Sequence, residues 1–300
     1  MSARFTPLIV RIGLMGLLLA GAPGAALAQC RLEVVRAPPS VLISYDPFEP
    51  APPPERLRLR LRNPSAEACS AEIALVDDGG AALSRVALAD AGLVLEVAPG
   101  EGLAAGPEPG VFRVQAAADA EVEAVLELVV LDPRVVEAGT YLHDLVVRLR
   151  DGIGLSSGRD VRVPLSLHAL PRAQLNLAGA LGSFGQGPSV SRVDFGVAEA
   201  GKTERVFVQS RTNAPARIRI TSANKGVLRS EDDPEQGAGV RYSAVLDNRP
   251  LDLSQPAAVD VDPPRTFQGE SLELLLTLGP VPPLRAGAYS DALTFEISTL

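Results

Sequence analysis

The chain has 300 residues, of which 46% are apolar, 21% charged and only 4% aromatic, with a net charge of −8. That length can bury two modest cores. The acidic balance argues against a nucleic-acid binder, and two His and two Cys leave little for a metal centre or a nucleophile–base pair.

Residues 1–28 read as a secretory signal peptide. Arg4 and Arg11 supply the positive start, and Ile12 to Ala22 an apolar stretch too short to span a bilayer. Ala26-Leu27-Ala28 forms a small-x-small cleavage site. Cys30 lies near that site, but Gln29 precedes it where lipidation wants a small residue, so simple cleavage before Gln29 is expected. An exported chain can oxidise its cysteines, and Cys30 and Cys69 are expected to form one disulfide.

The rest of the chain reads as all-β. Pro47 to Pro54, with Tyr45 and Phe48, reads as a stiff connector. Arg56 to Arg62 alternates strictly, Leu to the core and Arg to water. Ala81 to Ala91 is Ala-rich and compatible with a helix. Val122, Ala124, Leu126, Leu128 and Val130 face one way, with Glu121, Glu123 and Glu127 opposite. A strand from Tyr141 to Arg150 leads through the turn Asp151-Gly152-Ile153-Gly154 into a last strand. There Val161, Val163, Leu165 and Leu167 face in and Pro164 faces out, as suits an edge. Leu272, Leu274, Leu276 and Leu278 repeat the alternation later, as do Leu293, Phe295 and Ile297. Short Pro/Gly/Asp/Asn turns between such runs are the pattern of antiparallel sandwiches.

The two halves echo each other in the same order. Arg56 to Asn63 resembles Arg205 to Asn213, and Leu126-Glu127-Leu128 resembles Leu272-Glu273-Leu274. Glu137-Ala138-Gly139-Thr140-Tyr141 resembles Arg285-Ala286-Gly287-Ala288-Tyr289. The expectation is two tandem immunoglobulin-like antiparallel β-sandwiches, 29–168 and 173–300, joined near Ala169 to Arg172. The first has a strand, Val161 to Leu167, after its Tyr141 strand. The second reaches Leu300 without that partner. A sandwich lacking its last strand exposes unpaired backbone and an open apolar groove, which donor-strand complementation by another chain would fill. Leu272, Leu274, Leu276, Leu293, Phe295 and Ile297 are the expected groove residues. Closure by Ala173 to Ala178 or by Val190 to Phe195 is the alternative.

At these residues the chain resembles the spore-coat-protein-U-like family, the subunits of archaic chaperone–usher pili. The match lies in Val193-Asp194-Phe195-Gly196, Thr221 to Leu228, Val240-Arg241-Tyr242 and Ala286 to Thr294. A looser one covers Ile43 to Phe48, the cysteine pair and Gly139-Thr140-Tyr141. The resemblance implies delivery by a periplasmic chaperone, assembly at an outer-membrane usher and a strand donated by a neighbouring pilus subunit. Ordinary shaft subunits of the family are single domains with a donor extension. Two domains and an immediate first strand, Leu32 to Val35, imply instead a tip subunit serving attachment and biofilm formation. Ile153 and Leu155, on a loop expected at the distal end, are the candidate contact to an abiotic surface or host receptor.

Other signals are discounted. Gly182 to Gly187 lacks the Lys/Ser of a phosphate loop. His143, Asp144, Ser156 and Ser157 form no nucleophile elbow. Glu231 to Glu235 lacks EF-hand spacing. No enzyme, cofactor or metal is therefore expected. The competing readings are a solitary periplasmic two-domain binding protein and a pilus-assembly chaperone.

Overall fold

The structure is a computed structural model that describes residues 31–49, 52–151, 159–177, 184, 190–233 and 238–300. The signal segment, Cys30, Ile153 and Leu155 lie outside the described residues, as does most of the Gly182 to Gly187 stretch.

The first half contains Glu33–Arg36 (β1), Val41–Tyr45 (β2), Glu55–Arg62 (β3), Cys69–Val76 (β4), Arg85–Leu88 (β5), Leu93–Pro99 (β6), Ala104–Ala105 (β7), Val111–Ala116 (β8), Glu121–Val130 (β9), Gly139–Arg150 (β10) and Val161–Ala169 (β11). One sheet has the order β1-β3-β9-β6-β5 and the other β2-β11-β10-β4-β8-β7. The alternation of β3 explains its place. Leu57, Leu59 and Leu61 are fully buried, while Arg58 and Arg60 reach out to Glu123 and Glu121 of β9. Such exposed pairs stabilise by at most about 1 kcal/mol each, so burial of the leucines dominates.

The second half contains Ala173–Leu177 (β12), Thr203–Thr212 (β13), Ala216–Ser222 (β14), Val227–Ser230 (β15), Val240–Leu246 (β16), Arg249–Leu251 (β17), Ala257–Val261 (β18), Glu270–Leu278 (β19), Tyr289–Ser290 (β20) and Leu293–Thr299 (β21). Its sheets run β12-β13-β19-β16-β15-β20, with β17 beside β16, and β18-β14-β21. Each half has its own apolar core.

One ambiguous segment is resolved and one expectation changes. Ala81 to Ala91 is not a helix. Ala82 bridges Val76, β5 pairs with β6, and only Ala89–Ala91 turns, as a single 3-10 turn ended by Gly92 in the left-handed region. Alternation of Val86 and Leu88 into the core outweighs the helical preference of the alanines. The edge reading of Val161 to Leu167 holds for part of β11 only. Leu165 to Ala169 also pair in parallel with Val41 to Tyr45 of β2, so that stretch is flanked on both sides. Pro164 sits one residue before this pairing begins, outside the stretch flanked on both sides.

Candidate functional site: an unpaired sheet edge

One sheet of each half has the same strand topology. The order β1-β3-β9-β6-β5 is matched by β12-β13-β19-β16-β15, antiparallel throughout. The tyrosines fix the correspondence of the opposite sheets. Tyr141 Oη donates to the Glu137 carbonyl at 2.9 Å, and Tyr289 Oη donates to the Arg285 carbonyl at 3.2 Å. Both are tyrosine corners, which mark the strand before the last in an immunoglobulin-like sandwich. So β10 corresponds to β20 with β21, and β4 to β14.

On that mapping the second sheet of the second half is β21-β14-β18, where the first half has β2-β11-β10-β4-β8. The counterparts of β11 and β2 do not occur among the described residues. β10 pairs with β11 over Gly139 to Val147. β21 pairs with β14 over Leu293 to Thr299, and no described strand pairs with its other edge.

Burial follows the same difference. Leu145, Val147 and Leu149 of β10 are buried in the first core. Leu293, Phe295 and Ile297 of β21 are only half-buried, although they pack on the second core. Leu175 and Leu177 of β12, Val206 of β13, and Val193 and Phe195 are half-buried beside the same core. Leu272, Leu274 and Leu276 lie deeper, on β19 between β13 and β16, and are buried. The six expected groove residues thus share one core, three as its floor and three on the unpaired strand.

Among the described residues neither alternative adds a paired strand to that sheet. β12 pairs with β13 in the opposite sheet, and Val190 to Phe195 forms no strand. In the latter segment Val193 and Phe195 turn inward and Arg192 and Asp194 outward, as in a strand without a partner. It borders a shallow cleft of about 210 Å³ with Glu204 to Phe207 of β13.

A hydrogen-bond hub fixes the start of β21. Asp291, between β20 and β21, accepts from Ser222 Oγ at 2.5 Å and Tyr242 Oη at 2.6 Å through Oδ2. Through Oδ1 it accepts from the Asn224 and Ala292 amides, both at 2.8 Å. Asn224 Nδ2 returns a bond to the Ser290 carbonyl, and the Gly226 amide donates to Ser222 Oγ. Burial and then the Asp291 carboxylate push the Tyr242 hydroxyl well above the usual tyrosine range. The segments Thr221 to Leu228, Val240 to Tyr242 and Ala286 to Thr294, separate in sequence, converge on this one carboxylate.

Sequence reasoning missed a second cluster, at the junction of the halves. Asn213 follows β13 and is fully buried, and the Arg211 guanidinium lies over the rings of both Phe48 and Phe184. The signal available was the match of Asn213 to Asn63, another fully buried residue at the end of the corresponding strand. Among the described residues no group of three or more His, Cys, Asp or Glu could hold a metal ion. No described helix is long and apolar enough to cross a membrane.

No protein-family model matches the chain, and no curated protein matches it. Among solved structures it is similar to the chaperone–tip adhesion subunit pre-assembly complex of the archaic Csu pili of Acinetobacter baumannii. The identity there is 11% over 87% of this chain and 99% of that chain, with a TM-score of 0.44. It is similar to the CupB6 tip adhesin of Pseudomonas aeruginosa at 14% identity, over 89% of this chain and 92% of that one, with a TM-score of 0.32. It is also similar to CfaE, the adhesive subunit of CFA/I fimbria of enterotoxigenic Escherichia coli. That match has 11% identity over 90% of this chain and 81% of that one, with a TM-score of 0.35.

Proposed function

We propose that this protein is an exported pilus subunit of the tip type, whose second sandwich is completed by a strand from another chain. The observation that carries this reading is the unpaired edge of β21, above a core whose residues on that side are half-buried. An open edge offers backbone donors and acceptors in register, and alternate apolar pockets give the incoming strand its specificity. A periplasmic chaperone would supply such a strand during export. A neighbouring subunit would replace it at the outer-membrane usher.

The tip position is supported by the first half. Its β2 and β11 fill the places left open in the second, and every described strand of that half lies within its two sheets. It is read as the attachment domain, with Ile153 and Leu155 as the contact to an abiotic surface or host receptor in biofilm formation. Residues 1–28 direct export, and Cys30 and Cys69 close one disulfide. No step of this function needs a reaction centre.

The test uses the chain from Gln29, with and without an alternating apolar strand attached after Leu300 through a short turn. Completion of the sheet should raise the melting temperature of the second half by at least about 10 °C and suppress aggregation. Equal stability without the strand would mean that the sheet is already satisfied. The reading of a solitary periplasmic binding protein would then replace this one.

A further inference from the structure

We propose that the junction between the halves is a locked joint, in which Asn213 and Arg211 hold the two sandwiches at one fixed angle. The connector between β11 and β12 is only Leu170-Pro171-Arg172. A short connector alone does not fix an angle, and relative motion is the ordinary expectation for two domains with a small interface.

Asn213 uses every hydrogen-bonding group it has. Its Oδ1 accepts from the Arg172 amide at 2.7 Å, and its Nδ2 donates to the Leu170 carbonyl at 2.8 Å and the Val136 carbonyl at 3.0 Å. Its backbone N–H donates to the Arg172 carbonyl at 3.1 Å, and its carbonyl accepts from the Ala138 amide at 2.8 Å. Three of these bonds hold the connector, and two reach into the loop before β10. The site is buried, so bending the joint would strip partners from polar groups that water cannot readily reach.

Arg211 adds a second, independent contact. Its guanidinium lies 4.7 Å from the centre of the Phe48 ring and 4.6 Å from that of Phe184. Its Nε donates to Gln174 Oε1 of β12 at 2.8 Å, and its Nη1 donates to the Phe267 carbonyl at 3.3 Å. The cation is therefore anchored in the second half while one of its two rings belongs to the first. Around this pair Arg172 is ion-paired with Asp46, and the Leu170 amide donates to the Tyr45 carbonyl at 2.9 Å. Tyr45 Oη in turn donates to the Arg134 carbonyl and accepts from the Arg134 amide, which ties the loop before Val136 to β2.

Asn63 provides the internal contrast. It occupies the same strand end in the first half, but its Nδ2 donates to the Glu67 and Ala117 carbonyls of its own sandwich. The same residue closes one sandwich end in the first half and clamps two bodies together in the second. The joint stands on this geometry alone and does not depend on the chain's being a pilus subunit.

The test is backbone ¹⁵N relaxation on the chain from Gln29. The two halves of the unsubstituted chain should report one common correlation time. In Asn213→Asp the new carboxylate faces the Val136 and Leu170 carbonyls, and the halves should tumble separately, with correlation times shorter by up to about twofold. Phe48→Ala, which removes a ring and no backbone partner, should give a smaller separation in the same direction. Asn63→Asp should leave the common correlation time intact while its first half stays folded by chemical shift. Separate correlation times in the unsubstituted chain would overturn the proposal whatever the variants do. An unchanged common time in folded Asn213→Asp would remove Asn213 from it.

Discussion

Asn63 and Asn213 show how much a single buried amide carries in a sandwich with few aromatic residues. Asn63 Oδ1 accepts from the Ser65 amide at 3.0 Å and from Ser65 Oγ at 2.7 Å, besides the two donated bonds that close the end of its sandwich. Asn63→Ala should destabilise the first half by about 2 kcal/mol, read as a lower denaturant midpoint, because several partners are left unpaired together. The repetition of an Asn after two matched strands was legible in the sequence. Its partners were not, since Ala117 and Val136 are apolar in name and contribute only their carbonyls. Asp291 was likewise legible as part of a motif but not as a hub. Tyr242 gives the hub a pH signature. Its hydroxyl is raised by burial and by Asp291, so the folded state keeps a proton that the unfolded chain gives up near pH 10. The stability this contributes is intact below that pH and is lost progressively as the pH rises above it. Tyr242→Phe should flatten this alkaline loss in the second half. An equally steep loss in Tyr242→Phe would show that another group carries it.

At the scale of elements, alternation identified β3, β9, β11, β19 and β21 and the face each presents, but not the depth of that face. Leu272, Leu274 and Leu276 read as equivalent to Leu293, Phe295 and Ile297, yet the first three are covered by strands on both sides of β19 and the last three are not. Depth depends on neighbours distant in sequence, as does the parallel partner that makes part of β11 internal. This difference in depth is measurable. Leu274→Ala should cost about 3 kcal/mol with or without an added strand, since its cavity forms either way. Phe295→Ala should cost about 1 kcal/mol in the open protein and about 3 kcal/mol once a strand covers it. Equal costs of Phe295→Ala in the two forms would mean that the incoming strand does not lie over β21. The joint was the element least legible in advance. Pro47 to Pro54 read as a stiff connector, whereas Phe48 at its start packs on a cation 163 residues away.

At the scale of the whole molecule, the halves share a joint but not a core. The first core runs from Leu32 to Ala169, and the second from Leu175 to Ile297. What crosses between them is polar: Asn213, Arg211, and the Arg172 pair with Asp46. Such contacts fix an angle without merging two hydrophobic clusters into one cooperative unit, because burial of apolar surface is the larger part of what makes unfolding all-or-none. Two agents should therefore act on different transitions in calorimetry. Reduction of the proposed Cys30–Cys69 bond, which closes a loop of about 40 residues, should lower the stability of the first half by up to about 4 kcal/mol. It should leave the second-half transition nearly in place. A strand attached after Leu300 should raise the second transition and leave the first. If both agents moved both transitions equally, the halves would unfold as one body. The joint would then couple folding as well as orientation.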